Sequence, residues 1–515
     1  MNRSQIIRII SLTVIIAISN CSSYSFAQST FDEYKRQVEE KFNNFKNSKK
    51  KEFEEYRNKV NQEFAEFMRM RWDMHEAQPP VPAPTIPEPP KPIVADPEDT
   101  PEDDILPFEE VINIPDVPEP PTPLLPIPEP YIPEIDINPN LPDTPIIQAP
   151  SRPIKDGVAF EFYGNTYRIP LKKSLIPSLQ TTDENSVADA WQLLSAEVTV
   201  DVIQEIINLR DRLYLPDWGY FKLTEKLAGA ACPHDHNVAK LLQMFLLTQS
   251  GYKVRLGRKS DSLVILMPSK ETIYDYSYVA KNDINYYVID SSKGKGSIYI
   301  FDKEFPREQF FSMAINYQPH ISVNPAEARI FSIDYPEKIY LDVAVNKNLI
   351  DFYNDYPKSC HWNLYANASL SQDVKDQLYP ELEKTIEGKR SPEAANIILH
   401  FVQKAFQYKT DQEQFGIERS LFADETFYYP YSDCEDRAIL YSVLVRELLG
   451  LDVVLVHYPQ HIATAVAFNE PITGDYFEID GRKFTVCDPT YINANIGMAV
   501  TQFKSTPAEI IKLKK

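Results

Sequence analysis

Residues 431–450 read YSDCEDRAILYSVLVRELLG, in which a single cysteine precedes a long apolar pattern that ends in glycine. Ser432 or Asp433 can accept hydrogen bonds from the first backbone N–H groups of a helix. Gly450 can end that helix in the left-handed conformation. The stretch therefore predicts a helix that begins at or next to Cys434.

The position of Cys434 is unusual for a packing cysteine, because it lies among acidic residues rather than in the apolar stripe. A thiol in the first helical turn meets unpaired backbone donors and the positive end of the helix, and both stabilise a thiolate. Asp433, Glu435 and Asp436 oppose that effect. A strongly lowered thiol pKa would therefore need a cation close to Cys434.

Three strands are predicted after this helix, in the segments LDVVLV, IATAVAF and KFTVCD. His461 opens the second strand and Asp488 ends the third. In a helix packed on an antiparallel sheet these residues can converge with Cys434, which would supply the nucleophile, base and orienting carboxylate of amide cleavage. Spacing alone leaves His457 as a rival base. Each residue also has a purely structural interpretation, as helix start, strand start or turn cap.

These segments resemble the transglutaminase-like superfamily, and within it the bacterial transglutaminase-like cysteine peptidases. The resemblance covers residues 390–500 and rests on FVQKAFQYKTD, YSDCEDRAILYSVLVRELLGLDVVLV, YPQHIATAVAF and DGRKFTVCDPTY. It implies an α+β fold of the papain/transglutaminase-like type, a helix packed on an antiparallel sheet. It also implies that Cys434 is the nucleophile, His461 the base and Asp488 the orienting acid, with no cofactor.

A weaker copy of the same pattern lies earlier in the chain, in residues 235–257. Aligning the glycines that end the two helices puts Asp235 at the cysteine position, Ser262 at the histidine position and Asp290 at the aspartate position. We therefore predict that residues 155–300 form a degenerate transglutaminase-like domain without nucleophile or base. The predicted catalytic domain covers 376–515, and a β-rich connecting region covers 301–375.

The N-terminus has the features of an export signal, expected over residues 1–27. Arg3 and Arg8 precede the apolar run IISLTVIIAIS, and Ser25-Phe26-Ala27 forms a small-x-small cleavage site. The apolar run is too short for an ordinary membrane span. Cys21 offers an alternative, a lipid anchor, which would be the chain's only membrane contact. We expect an exported protein of the periplasm or cell envelope.

An eleven-residue repeat follows, in a coiled-coil helix expected over residues 28–78. Phenylalanine opens the four units at Phe31, Phe42, Phe53 and Phe64, and a second aromatic residue follows three positions later in each. That spacing makes one aromatic stripe along a helix. An eleven-residue period favours a right-handed supercoil, so self-association through residues 31–74 is the expected role. Packing on another partner or on a membrane surface is the alternative.

Residues 79–150 carry 24 of the 42 prolines, and 15 acidic residues against one basic residue. Proline fixes φ and removes a backbone donor, so this segment is predicted to be a disordered linker with polyproline II character. It supplies −14 of the net charge of −21.

The rest of the chain is only mildly acidic and has no basic face that would indicate a nucleic-acid partner. Residues 232–236 (CPHDH) are spaced too tightly to surround one metal ion, so no metal site is expected.

The leading functional hypothesis is an exported cysteine hydrolase that cleaves protein or peptide amide bonds through a thioester. A cross-linking transglutaminase would use the same intermediate with an amine in place of water. The second hypothesis is not an enzyme: it is a cell-envelope binding or scaffolding protein that keeps the fold but catalyses no reaction. A third hypothesis makes the coiled coil the main functional part.

Overall fold

The computed structural model describes residues 36, 40–41, 44–45, 48, 51–83, 91–95, 111–113, 156–289, 296–359, 361–504 and 506–514. The expected signal peptide and Cys21 lie outside these residues, as does most of the expected linker. The chain forms two compact units, Met1–Phe67 and Met68–Lys515. It is a mixed α+β protein with mainly antiparallel sheets. No helix in the described ranges combines the length and the apolarity that crossing a membrane requires.

In the first unit, the chain from residue 51 is helical, and this helix, α1, ends at residue 68. The aromatic side chains of Phe45, Phe53 and Tyr56 are exposed. The helix expected over 28–78 is wrong beyond residue 68, because Asp73–Ala77 is a β-strand. This strand pairs with a segment more than 200 residues away, and such non-local pairing overrides a local helical pattern.

The first half of the second unit contains nine strands and four α-helices among the described residues. In chain order they are β1 (Asp73–Ala77), β2 (Val111–Asn113), β3 (Val158–Phe162), β4 (Asn165–Ile169), α2 (Glu184–Glu197), α3 (Val200–Arg212), α4 (Asp217–Ala231), α5 (His236–Gln249), β5 (Arg255–Lys259), β6 (Ser262–Ser269), β7 (Tyr278–Lys281), β8 (Ile284–Ile289) and β9 (Gly296–Phe301).

The second half contains nine strands and seven α-helices within the described ranges. They are β10 (Arg329–Ile333), β11 (Ile339–Val343), α6 (Lys347–Asn354), α7 (Trp362–Ala366), α8 (Gln372–Ile386), α9 (Ser391–Ala405), β12 (Gln407–Tyr408), α10 (Asp411–Gln414), α11 (Ala423–Tyr428), β13 (Tyr431–Ser432), α12 (Cys434–Leu449), β14 (Asp452–Tyr458), β15 (His461–Ala467), β16 (Tyr476–Ile479), β17 (Arg482–Cys487) and β18 (Ala508–Lys512).

Two six-stranded sheets form the centres of the two halves. The first has the strand order β1-β9-β5-β6-β8-β7, and the second has the order β2-β18-β14-β15-β17-β16. In each half a buried helix, α5 or α12, packs on the sheet and leads into its first hairpin. Strands at the same position in the two orders therefore correspond, so that β14 is the counterpart of β5 and β15 the counterpart of β6.

We name these two helix-and-sheet assemblies repeat 1 and repeat 2. Repeat 1 consists of α4, α5, β5–β9 and β1, and repeat 2 consists of α9, α12, β14–β18 and β2. The repeats differ at the edge strand, since β1 runs antiparallel to β9 whereas β2 runs parallel to β18. The shared topology is the structural counterpart of the weak repeat seen in the sequence.

Short N-terminal segments add an edge to each sheet. Residues 73–77 pair with β9, and the next residue, Gln78, forms a bridge with Tyr278 of β7, which links the two edges of the first sheet. Residues 91–95 and 111–113 pair instead with repeat 2. The linker expected to be disordered over 79–150 therefore contains paired segments, because proline-rich chain is already extended and proline is tolerated at sheet edges.

The connecting region expected to be β-rich over 301–375 is mixed. Its only paired strands among the described residues are β10 and β11, which form a two-stranded sheet. Helices α6 and α7 follow them. Asn346 caps α6 by accepting a hydrogen bond from the backbone of Asn348 at 3.1 Å, and Leu349, Ile350 and Phe352 lie on the helix's buried face.

Ala95 provides a test of how residues 91–95 dock. Its backbone N–H donates to the Ile492 carbonyl at 2.8 Å, and its side chain is 2% exposed in the repeat 2 core, whereas neighbouring Val94 is 61% exposed. Ala95→Asp would bury a charge and should lower the free energy of unfolding by about 2–4 kcal/mol. Val94→Asp is the matched control and should change it by less than about 0.5 kcal/mol. Equal effects of the two substitutions in urea unfolding would contradict this docking.

Candidate active site

Helix α12 begins at Cys434, as the sequence predicted. Asp433 is the N-cap residue, and its backbone N–H donates to Asp436 Oδ2 at 3.4 Å. The helix ends at Gly450, whose φ of 63° is the left-handed conformation that favours glycine. The side chains from Cys434 to Val445 are all buried, so the whole first part of α12 belongs to the core of repeat 2.

His461 and Asp488 are brought together by the sheet. Tyr458 pairs with His461 across a two-residue turn, so His461 begins β15. Thr464 of β15 pairs with Cys487 at the end of β17, which puts Asp488 at the same end of the sheet. His461 Nε2 lies 2.7 Å from Asp488 Oδ2, and both side chains are buried.

The Asp488 carboxylate is held from both sides. Its Oδ1 accepts hydrogen bonds from the backbone N–H groups of Thr490 at 2.9 Å and Tyr491 at 3.1 Å. Its Oδ2 faces His461. A carboxylate bonded to Nε2–H leaves the imidazole lone pair on Nδ1. The pair therefore has the geometry of a base whose tautomer and orientation are set by an acid.

The imidazole of His461 is covered on one face by an aromatic ring. Phe503 lies in a short 3₁₀ turn, Thr501–Phe503, and its ring stacks on His461 with centroids 5.0 Å apart and planes 4° from parallel. Tyr458 stacks on Phe503 in turn. This apolar cover excludes water and strengthens the electrostatic interaction between His461 and Asp488.

The direction of α12 indicates the end of the sheet at which Cys434 is expected. Only Gly450 and Leu451 separate the helix from β14, so helix and strand run antiparallel, and α12 packs on both β14 and β15. Sixteen helical residues span about 24 Å, which is close to the length of a seven-residue strand, about 23 Å. From these lengths we expect the start of α12 beside the hairpin turn that precedes His461.

Repeat 1 shows the equivalent juxtaposition directly. There the side chain of Asn237, in the first turn of α5, donates to the Asp261 carbonyl at 3.0 Å and accepts from the Leu263 N–H at 2.8 Å. These two residues flank Ser262, the first residue of β6, whose partner Lys259 matches Tyr458 in repeat 2. The helix start thus contacts the hairpin in repeat 1 through hydrogen bonds.

Ser262 takes the position of His461, as the sequence alignment placed it. Asp235 does not take the position of Cys434. It is the N-cap of α5 and accepts a hydrogen bond from the Val238 N–H at 3.0 Å, so by helix start its counterpart is Asp433 and the counterpart of Cys434 is His236. The glycine alignment is therefore one residue out at the helix start. Helix α5 has 14 residues against 16 in α12, and Gly251 lies one residue after the C-cap whereas Gly450 is the C-cap itself. Asp290 lies outside the described residues.

Arg437 supplies the cation that the acidic surroundings of Cys434 require. Its guanidinium is buried and donates to Ser432 Oγ at 3.2 Å, to the Gln403 carbonyl at 3.1 Å and to the Phe406 carbonyl at 2.8 Å. Burial lowers the pKa of Arg437 to about 10, although attraction to acidic groups that include Asp433 and Cys434 raises it. The guanidinium therefore favours a thiolate at Cys434.

A buried cluster of carboxylates surrounds the start of α12. Cys434 Sγ lies 3.4 Å from Glu435 Oε2. Ligand oxygens lie within 4.8 Å of one another in two overlapping groups, Asp411 with Glu418 and Glu435, and Asp411 with Asp433 and Asp436. Such oxygen-only groups are the kind that bind a divalent cation such as Ca²⁺. The sequence did not predict these ligands, and Asp411 carries no local signal because it lies 22 residues before Asp433.

The rival base, His457, has a different environment. Its Nδ1 lies 3.0 Å from Glu509 Oε2, and its ring packs on Trp362 with centroids 4.7 Å apart. On β14 its side chain points to the opposite face of the sheet from Tyr458, the partner of His461. Geometry thus associates His461, and not His457, with Asp488.

Three residues of this site were missed in the sequence. Arg437 could have been found, because it lies one helical turn after Cys434. Gln403 and Phe503 carry no local signal, since their roles depend on contacts with residues far away along the chain.

Comparisons of the chain with protein-family models, with curated proteins and with solved structures gave no match.

Two more buried carboxylates lie on α11, next to this site. Asp424 accepts hydrogen bonds from the backbone N–H of Ser371, at 3.2 and 3.1 Å, and from its hydroxyl. Burial nevertheless raises the pKa of Asp424 to about 6. Burial likewise raises the pKa of Glu425 to about 7, although its ion pair with Arg419 lowers it. Both carboxyls therefore bind a proton more tightly in the folded protein than in the unfolded chain.

This pKa shift predicts how stability depends on pH. A carboxyl whose pKa is raised in the folded protein destabilises the folded state at pH values above that pKa. The destabilisation disappears as the pH falls below the pKa of the same carboxyl in the unfolded chain. Between pH 8 and pH 4, wild type should gain about 1–3 kcal/mol of unfolding free energy relative to Asp424→Asn. Urea unfolding at several pH values measures the difference. A difference that stays constant with pH would contradict the raised pKa.

Proposed function

We propose that the chain is an exported cysteine hydrolase of the transglutaminase-like class, which cleaves amide bonds in proteins or peptides. The observation that carries the proposal is the buried hydrogen bond between His461 and Asp488, at the end of the sheet where the Cys434 helix begins. The order of nucleophile, base and acid along the chain supports it, as does a helix packed on an antiparallel sheet. In this proposal repeat 2 is a papain/transglutaminase-like domain.

In the proposed reaction, the Cys434 thiolate attacks the carbonyl carbon of an amide, and a C–S bond forms as the C=O electrons move onto oxygen. The tetrahedral intermediate collapses when protonated His461 gives its proton to the amide nitrogen. The C–N bond breaks, the amine leaves and a thioester remains. His461 then takes a proton from water, whose oxygen attacks the thioester, and the acid product leaves as the Cys434 thiolate is restored.

Other parts of the site support the charged states that this reaction needs. Arg437 and the positive end of α12 favour the thiolate. Asp488 stabilises the imidazolium that exists before proton transfer to the leaving amine. The backbone N–H of Cys434 is a candidate donor to the oxyanion, because it lies at the positive end of α12.

Cross-linking and hydrolysis share the thioester and differ only in whether an amine or water resolves it. The α+β part of an exported chain follows a helical segment and a long proline-rich segment. We consider hydrolysis of envelope proteins the better match to this arrangement than cross-linking. In the same proposal, repeat 1 is a degenerate copy. The exposed aromatic side chains of α1, Phe53 and Tyr56, join two copies of the chain, whereas Phe64 of the same stripe is buried.

One observation favours a second candidate, a cell-envelope binding protein without chemistry. Cys434, His461 and Asp488 are all buried, so a protein substrate could reach them only after the site opens. The two candidates differ in the reactivity of Cys434, because a merely structural thiol needs no activation by His461.

Alkylation with iodoacetamide at pH 5 to 9, located by mass spectrometry, separates these candidates. The proposed thiolate–imidazole pair should make Cys434 react well below the ordinary thiol pKa of about 8.5. His461→Ala or Asp488→Asn should slow labelling at pH 6–7 by about tenfold or more. Cys232 and Cys487 serve as internal references, because burial raises their pKa values to about 11 and about 12.

His457→Ala is the matched control for His461→Ala. His457 lies on the neighbouring strand, four residues earlier, but bonds to Glu509, so its removal should leave the pH profile of Cys434 unchanged. An ordinary profile that is indifferent to His461 would overturn the enzyme proposal and favour the binding protein. Full amide-cleaving activity in Cys434→Ala would contradict the mechanism directly.

A further inference from the structure

The side chain of Gln403 spans the turn that follows Asp488. Gln403 lies on α9 and is buried. Its Nε2 donates to the carbonyls of Asp488 and Ala494, both at 3.0 Å, and its Oε1 accepts from the Asn493 N–H at 3.1 Å. One side-chain amide therefore satisfies three backbone groups of a single loop. This loop contains no strand or helix of its own and is otherwise paired at Ile492, with residues 93 and 95.

The position of this loop determines the position of the catalytic carboxylate. Asp488 Oδ1 accepts from Thr490 and Tyr491 within the same turn, so the carboxylate moves with the turn. Its Oδ2 in turn holds His461. A displacement of the turn would thus be passed on to the imidazole.

The backbone of Gln403 is tied to the other half of the site. Its carbonyl accepts a hydrogen bond from Arg437 at 3.1 Å, and Arg437 also donates to the Phe406 carbonyl on the same segment. Arg437 lies one helical turn after Cys434. Gln403 therefore contacts both α12, through Arg437, and the turn that follows Asp488.

We propose that Gln403 is a positioning residue, which sets the separation of Cys434 from the His461–Asp488 pair. The inference rests on the proposed function. Proton transfer between a thiol and an imidazole requires hydrogen-bond distance, and a misplacement of about 1 Å can cost about 100-fold in rate. A buried amide that makes three bonds has little freedom to move, so it can hold that distance.

The chain contains a matched control for a merely structural role. Gln377, on α8, also bridges a helix to backbone groups, since it donates to the Ala344 carbonyl at 3.0 Å and accepts from the Ala344 N–H at 2.9 Å. It contacts none of the site residues described above. Gln377→Met and Gln403→Met both remove a side-chain amide without a large change in volume.

The test measures the Cys434 alkylation profile and thermal stability for wild type, Gln403→Met and Gln377→Met. Both variants should lose thermal stability. Only Gln403→Met should shift the profile toward that of His461→Ala, with labelling at pH 6 reduced about 10- to 100-fold. Gln403→Glu provides a second variant if Gln403→Met does not fold, because it keeps the shape and one acceptor but loses the amide donors. It should shift the profile in the same direction.

The outcomes separate this inference from the proposed function. A wild-type profile that does not depend on His461 overturns both. A profile that depends on His461 but is unchanged in Gln403→Met and Gln403→Glu overturns the positioning role alone and leaves Gln403 as a structural residue like Gln377.

Discussion

A buried positive charge organises the second half of the molecule. The guanidinium of Arg437 has left water, so its donors need partners within the protein. The three partners come from two separate segments: Ser432 lies before α12, and the carbonyls of Gln403 and Phe406 lie at the end of α9 and just after it. Since α9 also holds the turn of Asp488, satisfying one cation aligns α12, α9 and that turn.

Most of repeat 2 could be predicted from the sequence because its signals are local. The cap at Asp433 and the glycine at 450 bound α12, and β-branched runs mark the strands on which His461 and Asp488 lie. The contacts of Gln403 and Phe503 could not be predicted, because each depends on a loop with no periodic pattern. The strand at Asp73–Ala77 could not be predicted either, since its sequence continues a helical pattern and only pairing with β9 makes it extended.

The two repeats use the same position of one topology in different ways. In repeat 1, Asn237 connects the helix start to the hairpin with two ordinary hydrogen bonds. In repeat 2, the helix starts with a thiol among several buried carboxylates and the hairpin leads into a buried imidazole, and all of these groups are costly to bury. The contacts in repeat 1 are those expected where only stability is selected. The buried groups in repeat 2 do not favour stability, so selection for stability alone would not retain them.

The pairing of early segments with late strands has a consequence for biosynthesis. Val111 pairs with Ala508, about 400 residues further along the chain, so this contact has a very high sequence separation. Until the residues of β18 have been made, one edge of β14 lacks its partner, and an open strand edge invites pairing with other chains. A polypeptide interrupted shortly before β18 would contain every residue of the candidate site and still lack a finished sheet. Assembly of repeat 2 must therefore wait for nearly the whole chain.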